Sequence, residues 1–490
     1  MSSPTISYDK KKVLIMGLGL NEGGAGAARF FLRAGARVTI TDVKKRSELT
    51  PTVRSLDRYK KKYGIRQKIR YVLGKHRMKD FENSDLIIQG PGVPYSSLFL
   101  RRARKRGIAV TTDIGIFFEH CPAPVIGITG SKGKSTTSAL LGSMLKQTFR
   151  DVVVAGNIGV SPLDFIPPPE IHGCKLVDER QTVAKRTDKY RGYKSVAGGF
   201  IGTIRQKTRV VLELSSWQVE GMARHGMAPH IAAITNIFPE HLNRYGSFRA
   251  YAMAKALIFK HQKRGDVLVV GRQTAVTIKK ELQRALSRVV VAERWQKSAY
   301  DSVGCLAGSH NAENIEIART IARICGVSEA GIRKGMRLFR GLSGRQEKIA
   351  EIAGISYYND TTATMPDAAI AALRTIRPRP GGKLILIAGG TDKKLDFSAF
   401  AHEIARNAET LILLKGDATA KIRRELFRIG FLKSHPLAHV DFTSMKQAVR
   451  AARSRARSGD IVLLSPGAAS FGMFQNEFDR GRQFIREVKK

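Results

Sequence analysis

Short apolar runs, rich in β-branched residues and closed by glycine or a polar turn, recur along almost the whole chain. They include VLIMGLG (13–19), ARVTITD (36–42), DLIIQG (85–90), PVIGITG (124–130), RVVLELS (209–215), HIAAITN (230–236), DVLVVG (266–271), KLILIAGG (383–390), TLILLKG (410–416) and DIVLLSPG (460–467). Between many of them lie stretches of helical period, such as AGAARFFLRAG, KSTTSALLGSMLKQ and AENIEIARTIARICG. Continuous apolar strands alternating with helices imply mainly parallel sheets buried on both faces, so the fold class is α/β. Buried helices would be a poor alternative, because the runs are too short and end in glycine.

The alternation divides into three blocks, 1–118, 119–340 and 341–490, the last opening at GLSGR. Within the second, residues 168–208 are polar, basic and glycine-bearing, and read as a mobile loop or a small inserted hairpin. At 490 residues the chain exceeds what one core usually serves, and 43% hydrophobic residues supply material for several.

No apolar run approaches the roughly 20 residues that span a bilayer, and the polar start MSSPTISYDKKK is unlike a secretory signal. Cys121, Cys174, Cys305 and Cys325 have neither a disulfide-framework density nor a metal spacing. The expectation is a reduced, cytoplasmic protein without membrane insertion. A formal charge of +43 changes this picture only in part. Its densest pieces, Lys44–Arg46, Lys60–Lys62 and Arg101–Arg106, are short and lack interleaved aromatics. No specific nucleic acid is expected, though weak RNA association stays open.

The sharpest chemical signal is GITGSKGKSTTSALL (127–141), where a strand enters a glycine-rich turn that opens a helix. Backbone N–H groups of Gly130, Ser131, Lys132 and Gly133, with the helix N-terminus at Lys134, Ser135 and Thr136, suit the phosphates of ATP. Lys134 supplies a point charge, and Ser135 a hydroxyl for Mg²⁺. The stricter pattern would need glycine where Ile128 stands. The N-terminal GLGLNEGGAG (17–26) begins as GxGxxG but has Glu22 at the third glycine position, with Asp42 ending the next strand. A diphosphate-bearing nucleotide other than NAD and a purely structural turn both fit. Glu213 ends an apolar strand, which suits Mg²⁺, and Glu240, His241 and Asn243 follow another. Lys255 lies among small apolar residues, so it is either a partnered core lysine or a functional group.

Ten segments in register resemble the Mur ligase family. They are TGSKGKST (129–136), GNIG (156–159), LELSSWQ (212–218), TNIFPEHLNRY (235–245), AYAMAK (250–255), GSHNAEN (308–314), GLSGRQE (341–347), NDTTAT (359–364), GGTDKKLDF (389–397) and LLSPGAASFGMFQNEFDRG (463–481). The resemblance implies a UDP-binding Rossmann-like N-terminal domain, a central P-loop ATPase-like domain and a Rossmann-like C-terminal domain that binds an amino acid. It implies a monomer of peptidoglycan precursor synthesis whose substrates are UDP-N-acetylmuramoyl-L-alanine, ATP and glutamate, most simply D-glutamate, joined through an acyl-phosphate. Leu20, Asn21, Asp42 and Gly92 would then hold uridine and diphosphate, with Asn157 and Ser216 near the muramoyl-alanine. Lys134 and Ser135 would serve ATP, Glu213 one Mg²⁺, and His241 a second. Lys255 matches a lysine that becomes carbamylated, which would turn an awkward buried cation into a metal ligand. Asn311, Asn314, Arg345 and Asp360 match nucleotide contacts, and Lys393, Ser465, Ser470 and Phe471 the surroundings of the amino acid.

Four positions depart from the family pattern. Thr362 stands for a lysine, Gly344 for a histidine, Gly472 for an aspartate and Glu477 for an aromatic. They keep L-glutamate or another amino acid open. A folate-type glutamate ligase and a catalytically weakened scaffold with RNA affinity are the rival readings. The N-terminal block speaks against the first, and the intact set Lys134, Ser135, Glu213, His241 and Lys255 against the second.

Overall fold

The computed structural model describes residues 7–19, 22–167, 203–292 and 309–490. Leu20, Asn21 and most of the 168–208 segment therefore lie outside the described residues. The chain forms two compact units, the first ending at Leu338 and the second taking in Phe339–Lys490.

The first unit carries two sheets. One contains β1 (Lys12–Met16), β2 (Arg37–Asp42), β3 (Arg70–Leu73), β4 (Leu86–Gln89) and β5 (Ala109–Thr111) in the order β3-β2-β1-β4-β5. Every pairing in it is parallel. The other contains β6 (Val125–Thr129), β7 (Val152–Gly156), β8 (Arg209–Glu213), β9 (Ile231–Ile234), β10 (Val267–Val270) and β11 (Arg288–Val291). Its order is β11-β10-β9-β6-β8-β7, again wholly parallel. The uninterrupted apolar runs match strands buried end to end: all five residues of β6 and all four of β10 are buried. In both sheets the strand order reverses beside the first strand, β1 or β6. Ligands of open α/β sheets bind at that switch, outside the carboxyl ends of the strands.

One apolar core runs through both sheets of this unit. The helix Glu22–Arg33 carries it from one to the other, because Phe30 and Phe31 are fully buried while its polar edge meets the 161–166 segment. There Arg29 grips Asp164 through two hydrogen bonds of 2.8 and 2.7 Å, and Arg33 donates to the Leu163 carbonyl at 2.8 Å.

In the second unit β12 (Glu347–Ile352), β13 (Ile355–Asn359), β14 (Leu384–Gly389), β15 (Thr410–Leu414), β16 (Asp441–Phe442) and β17 (Ile461–Leu464) pair in the order β12-β13-β17-β14-β15-β16. Only the edge pair β12–β13 is antiparallel. Separate cores cover its two faces. The carboxyl ends of β13, β14 and β17 bring residues 359–364, 389–393 and 465–471 to one edge, which is where the sequence places the amino-acid site.

Candidate active site

In the first unit the phosphate loop leaves β6 and opens the helix Lys134–Leu145. Gly133 has φ +81°, and a Cβ there would lie 1.9 Å from Asn314 Oδ1, so only glycine fits both the turn and its neighbour. The loop is fastened from β9. Ser131 N donates to Asn236 O at 2.8 Å, Lys132 N to Asn236 Oδ1 at 2.8 Å, and Thr235 Oγ1 to Lys132 O at 2.6 Å. Ser131 itself is buried, its hydroxyl shared with the Phe238 backbone and with Tyr251 Oη at 3.2 Å. It shapes the loop, and because Asn236 takes the Ser131 and Lys132 amides, which the sequence had assigned to phosphate, the anion-binding feature that remains is the N-terminus of the helix Lys134–Leu145. Asn311 and Asn314 are buried beside the loop, with Asn314 Nδ2 donating to Asn311 Oδ1 at 3.3 Å.

Two lysines meet at one carbonyl. Lys134 Nζ donates to Gly130 O at 2.9 Å and to Ser131 O at 3.0 Å, while Lys255 Nζ donates to Gly130 O at 2.8 Å. Lys255 comes from the helix Phe248–Ala256, is 1% exposed, and lies over the Tyr251 ring. Burial first, and the neighbouring Lys134 charge second, push its ammonium down from 10.5 to about 6, against the pull of Glu240. At neutral pH it is mostly a free amine. His241 sits in the left-handed region, φ +54°, with its ring near Trp217 and Tyr251. Burial lowers its pKa, and the neighbouring Lys134 and Lys132 charges lower it further against the pull of Glu240, which favours the uncharged imidazole that can act as a ligand.

Glu213 closes β8, next to β6, and is 2% exposed. Asn157 Nδ2 donates to its Oε1 at 2.8 Å, whereas its buried Oε2 has no hydrogen-bond partner. A buried carboxylate oxygen left open at the edge of a phosphate site is what a divalent cation would satisfy. No cluster of three or more His, Cys, Asp or Glu occurs among the described residues. A cation at Glu213 would therefore complete its shell from a hydroxyl such as that of Ser135, phosphate oxygens and water, as Mg²⁺ does in nucleotide sites. Ser216 is buried at the first turn of the helix Ser216–Arg224, which Ser215 and Gln218 cap reciprocally.

At the N-terminal sheet, Asp42 accepts from the backbone N–H of Leu18, Gly19 and Lys44 at 2.9, 3.1 and 2.9 Å. It holds the 17–19 turn, which any nucleotide there would meet first. Gly92 is exposed in the turn after β4.

In the second unit Asp360 is buried, accepting from Ser465 Oγ at 2.7 Å and Gln346 N at 3.1 Å. Burial raises its pKa to about 7, outweighing these hydrogen bonds and the fields of Arg345 and Arg480. Arg345 is exposed in the preceding turn. Lys393 reaches Thr364 Oγ1 at 3.3 Å, Phe471 is exposed, and the buried Ser470 hydroxyl has no hydrogen-bond partner.

The departures have a local logic. Thr362 donates to Gly344 O through both its amide, 3.0 Å, and its hydroxyl, 2.8 Å. Gly344 has φ +73°, and a Cβ there would sit 2.9 Å from Thr361 Cγ2. Glycine and threonine at these two places thus fit one another. Glu477 lends its carbonyl to Thr361 Oγ1 at 2.7 Å. The fully buried Arg480 was not singled out from sequence. It donates to Thr361 Oγ1 and O at 3.2 and 2.8 Å and to Ala468 O at 3.1 Å, tying two site loops together. Its spacing of four from the buried Phe484 on one helix was the available signal.

The chain matches the models of the Mur ligase MurD-like N-terminal domain over residues 11–112, the Mur ligase middle domain over 128–320, and the Mur ligase glutamate ligase domain over 344–467. A UDP-N-acetylmuramoylalanine–D-glutamate ligase of Roseiflexus sp. (strain RS-1) is 38% identical, covering 98% of either chain. One of Borreliella burgdorferi (strain ZS7) is 33% identical over 96% of either chain. The crystal structure of a UDP-N-acetylmuramate–alanine ligase from Thermotoga maritima, 16% identical, covers 98% of this chain and 99% of its own with a TM-score of 0.59, a likeness of fold. With end-to-end relatives at this identity and three family domains in order, the chain belongs to the Mur ligase family.

Proposed function

We propose that this ligase joins D-glutamate to UDP-N-acetylmuramoyl-L-alanine at the expense of ATP, in the cytoplasm and as a monomer, during peptidoglycan precursor synthesis. The observation that carries the reading is the meeting of Lys134 and Lys255 on the Gly130 carbonyl, in a unit that also leaves an open carboxylate oxygen on Glu213. The relatives named for this activity span the whole chain. In this reading residues 1–118 hold the UDP-sugar, 119–340 the ATP, and 341–490 the amino acid.

The acceptor carboxylate attacks the γ-phosphorus in line, and the bond to the β-phosphate oxygen breaks as ADP leaves. Lys134 stabilises charge on the transferring group, and the N-terminus of the helix Lys134–Leu145 holds the phosphates still. The glutamate amine then attacks the acyl carbon, and inorganic phosphate departs as the amide forms and the amine gives up a proton. Lys393, Ser465, Ser470 and Phe471 orient that amino acid. An anhydride hydrolyses in water, so the reaction requires exclusion of solvent. Ser135 and Glu213 would hold Mg²⁺ at one site and His241 with Lys255 at a second, and the ion would supply positive charge to the phosphates. A free amine can add CO₂, losing a proton to become a carbamate whose oxygens suit a cation; the depressed pKa of Lys255 supports that modification.

The test is direct. Purified protein is incubated with ATP, UDP-N-acetylmuramoyl-L-alanine and D-glutamate, L-glutamate or D-aspartate in turn, and product mass and ADP are read. ADP release that needs both acceptor and D-glutamate is expected. Release with neither, or none at all, overturns the proposal. Preference for L-glutamate would assign the Gly344, Thr362, Gly472 and Glu477 departures to specificity.

A further inference from the structure

His241 is held in an unfavourable backbone conformation, so something around it must over-determine that state. Its carbonyl accepts from the N–H groups of Arg244 and Tyr245 at 2.9 and 3.1 Å. Its ring lies 5.6 Å from Trp217 and 5.9 Å from Tyr251, whose ring in turn underlies Lys255. Trp217 is covered by the Arg244 guanidinium at 4.9 Å, and Arg244 donates to Glu220 Oε2 at 3.2 Å. Glu220 also faces Arg224 at 3.9 Å. Arg224 lies 4.2 Å over the ring of Tyr95, which Arg104 covers at 3.6 Å while donating to the Tyr95 carbonyl at 3.0 Å. Tyr95 lies two residues beyond the 90–93 turn at the carboxyl end of β4, in which Gly92 is exposed.

We propose that Arg244, Glu220, Arg224 and Tyr95 are positioning residues for acyl transfer, forming a brace of stacked guanidinia and aromatic rings from the 90–95 turn to His241. The inference rests on the function proposed above, in which that turn meets the UDP-sugar and His241 stands at the reacting centre. Arg224 and Arg244 share the one Glu220 carboxylate, which offsets part of the repulsion between them, and Arg104 and Arg224 meet only through the Tyr95 ring. Aromatic faces on cations contribute modestly at exposed sites and more when desolvated, so each link is weak alone and the effect depends on the series. None of the four residues needs to touch a substrate.

Two tryptophans occur in the chain, so replacing Trp295 by Phe leaves Trp217 as a reporter inside the brace. In that background Tyr95→Ala, at an exposed position, and Arg244→Gln are compared with Tyr95→Phe and Arg244→Lys. Each disruptive variant is expected to shift Trp217 emission and raise the KM for UDP-N-acetylmuramoyl-L-alanine about three- to tenfold, with the KM for ATP unchanged. The conservative variants should recover most of both. A Tyr95→Ala/Arg244→Gln double variant should lose less than the product of the single losses, because the links act in series. Unaltered emission in Tyr95→Ala, equal rises in both KM values, or strictly multiplicative losses would each overturn the brace. If the unsubstituted protein ligates nothing, the functional reading fails, while the emission changes still decide whether the brace exists.

Discussion

Replacing Lys255 by methionine should abolish ligation and yet make the first unit more stable. The side chains have similar length, so the packing around Tyr251 and Ala252 survives. Folding takes the amine from water, where it ionises near 10.5, into a site where it ionises near 6. An unfolded chain at pH 7 keeps the proton that the folded chain gives up, and that difference costs about 5 kcal/mol at 1.4 kcal/mol per pH unit. Losing the Gly130 hydrogen bond, and with it the packing of the neutral amine on Tyr251, returns about 1–2 kcal/mol of this. The net gain is about 3 kcal/mol at pH 7, or about 5 °C in the melting of a unit this large.

The pH dependence gives the sharper test. A lysine whose folded pKa is depressed destabilises fully below about 6, progressively less as pH rises, and not at all above 10.5. The methionine variant should therefore melt well above the parent at pH 7 and level with it at pH 10. The melt is followed through Trp217 in the Trp295→Phe background, because the two units need not unfold together. Buffers must be free of CO₂, since a carbamate would stabilise the parent. A variant less stable at pH 7, or a gap equal at both pH values, would refute the buried-amine reasoning.

Lys255→Ala should lose turnover by at least about a hundredfold and regain part of it with added acetate or formate, read as ADP release; unchanged turnover would remove Lys255 from the site. Glu213→Gln keeps the shape but not the charge, and should lower kcat by about a hundredfold or more while ADP still binds, checked by calorimetry with and without Mg²⁺. Gly133→Ala forces both an unfavourable φ and a collision with Asn314, and should end nucleotide binding in an equilibrium assay. Asp360, with its pKa raised to about 7, binds a proton on folding between pH 4 and 7, so the second unit should lose stability as pH rises through that window. Asp360→Asn should flatten that slope in thermal melts.

Much of this was legible because some chemistry is local in sequence. The phosphate loop is a strand, a turn and a helix start within a dozen residues, so its spacing alone announces anion binding. Glu213 reads as an acid at the carboxyl end of a buried strand because Val210, Val211 and Leu212 are apolar before it. Lys255 reads as buried because alanines flank it at helical spacing. What was not legible depends on contacts that no local pattern encodes. Asn236 and Thr235 fasten the phosphate loop from more than a hundred residues away, and Asn236 takes up the Ser131 and Lys132 amides that the local pattern offers to a phosphate. The family pattern marks Gly344 and Thr362 as two separate losses, yet in space they are one substitution. The threonine donates twice to the glycine carbonyl, and the positive φ of residue 344 leaves no room for a side chain beside Thr361. Restoring the lysine or the histidine alone would break that fit, so family residues can be carried over singly where they stand alone and only in pairs where they touch.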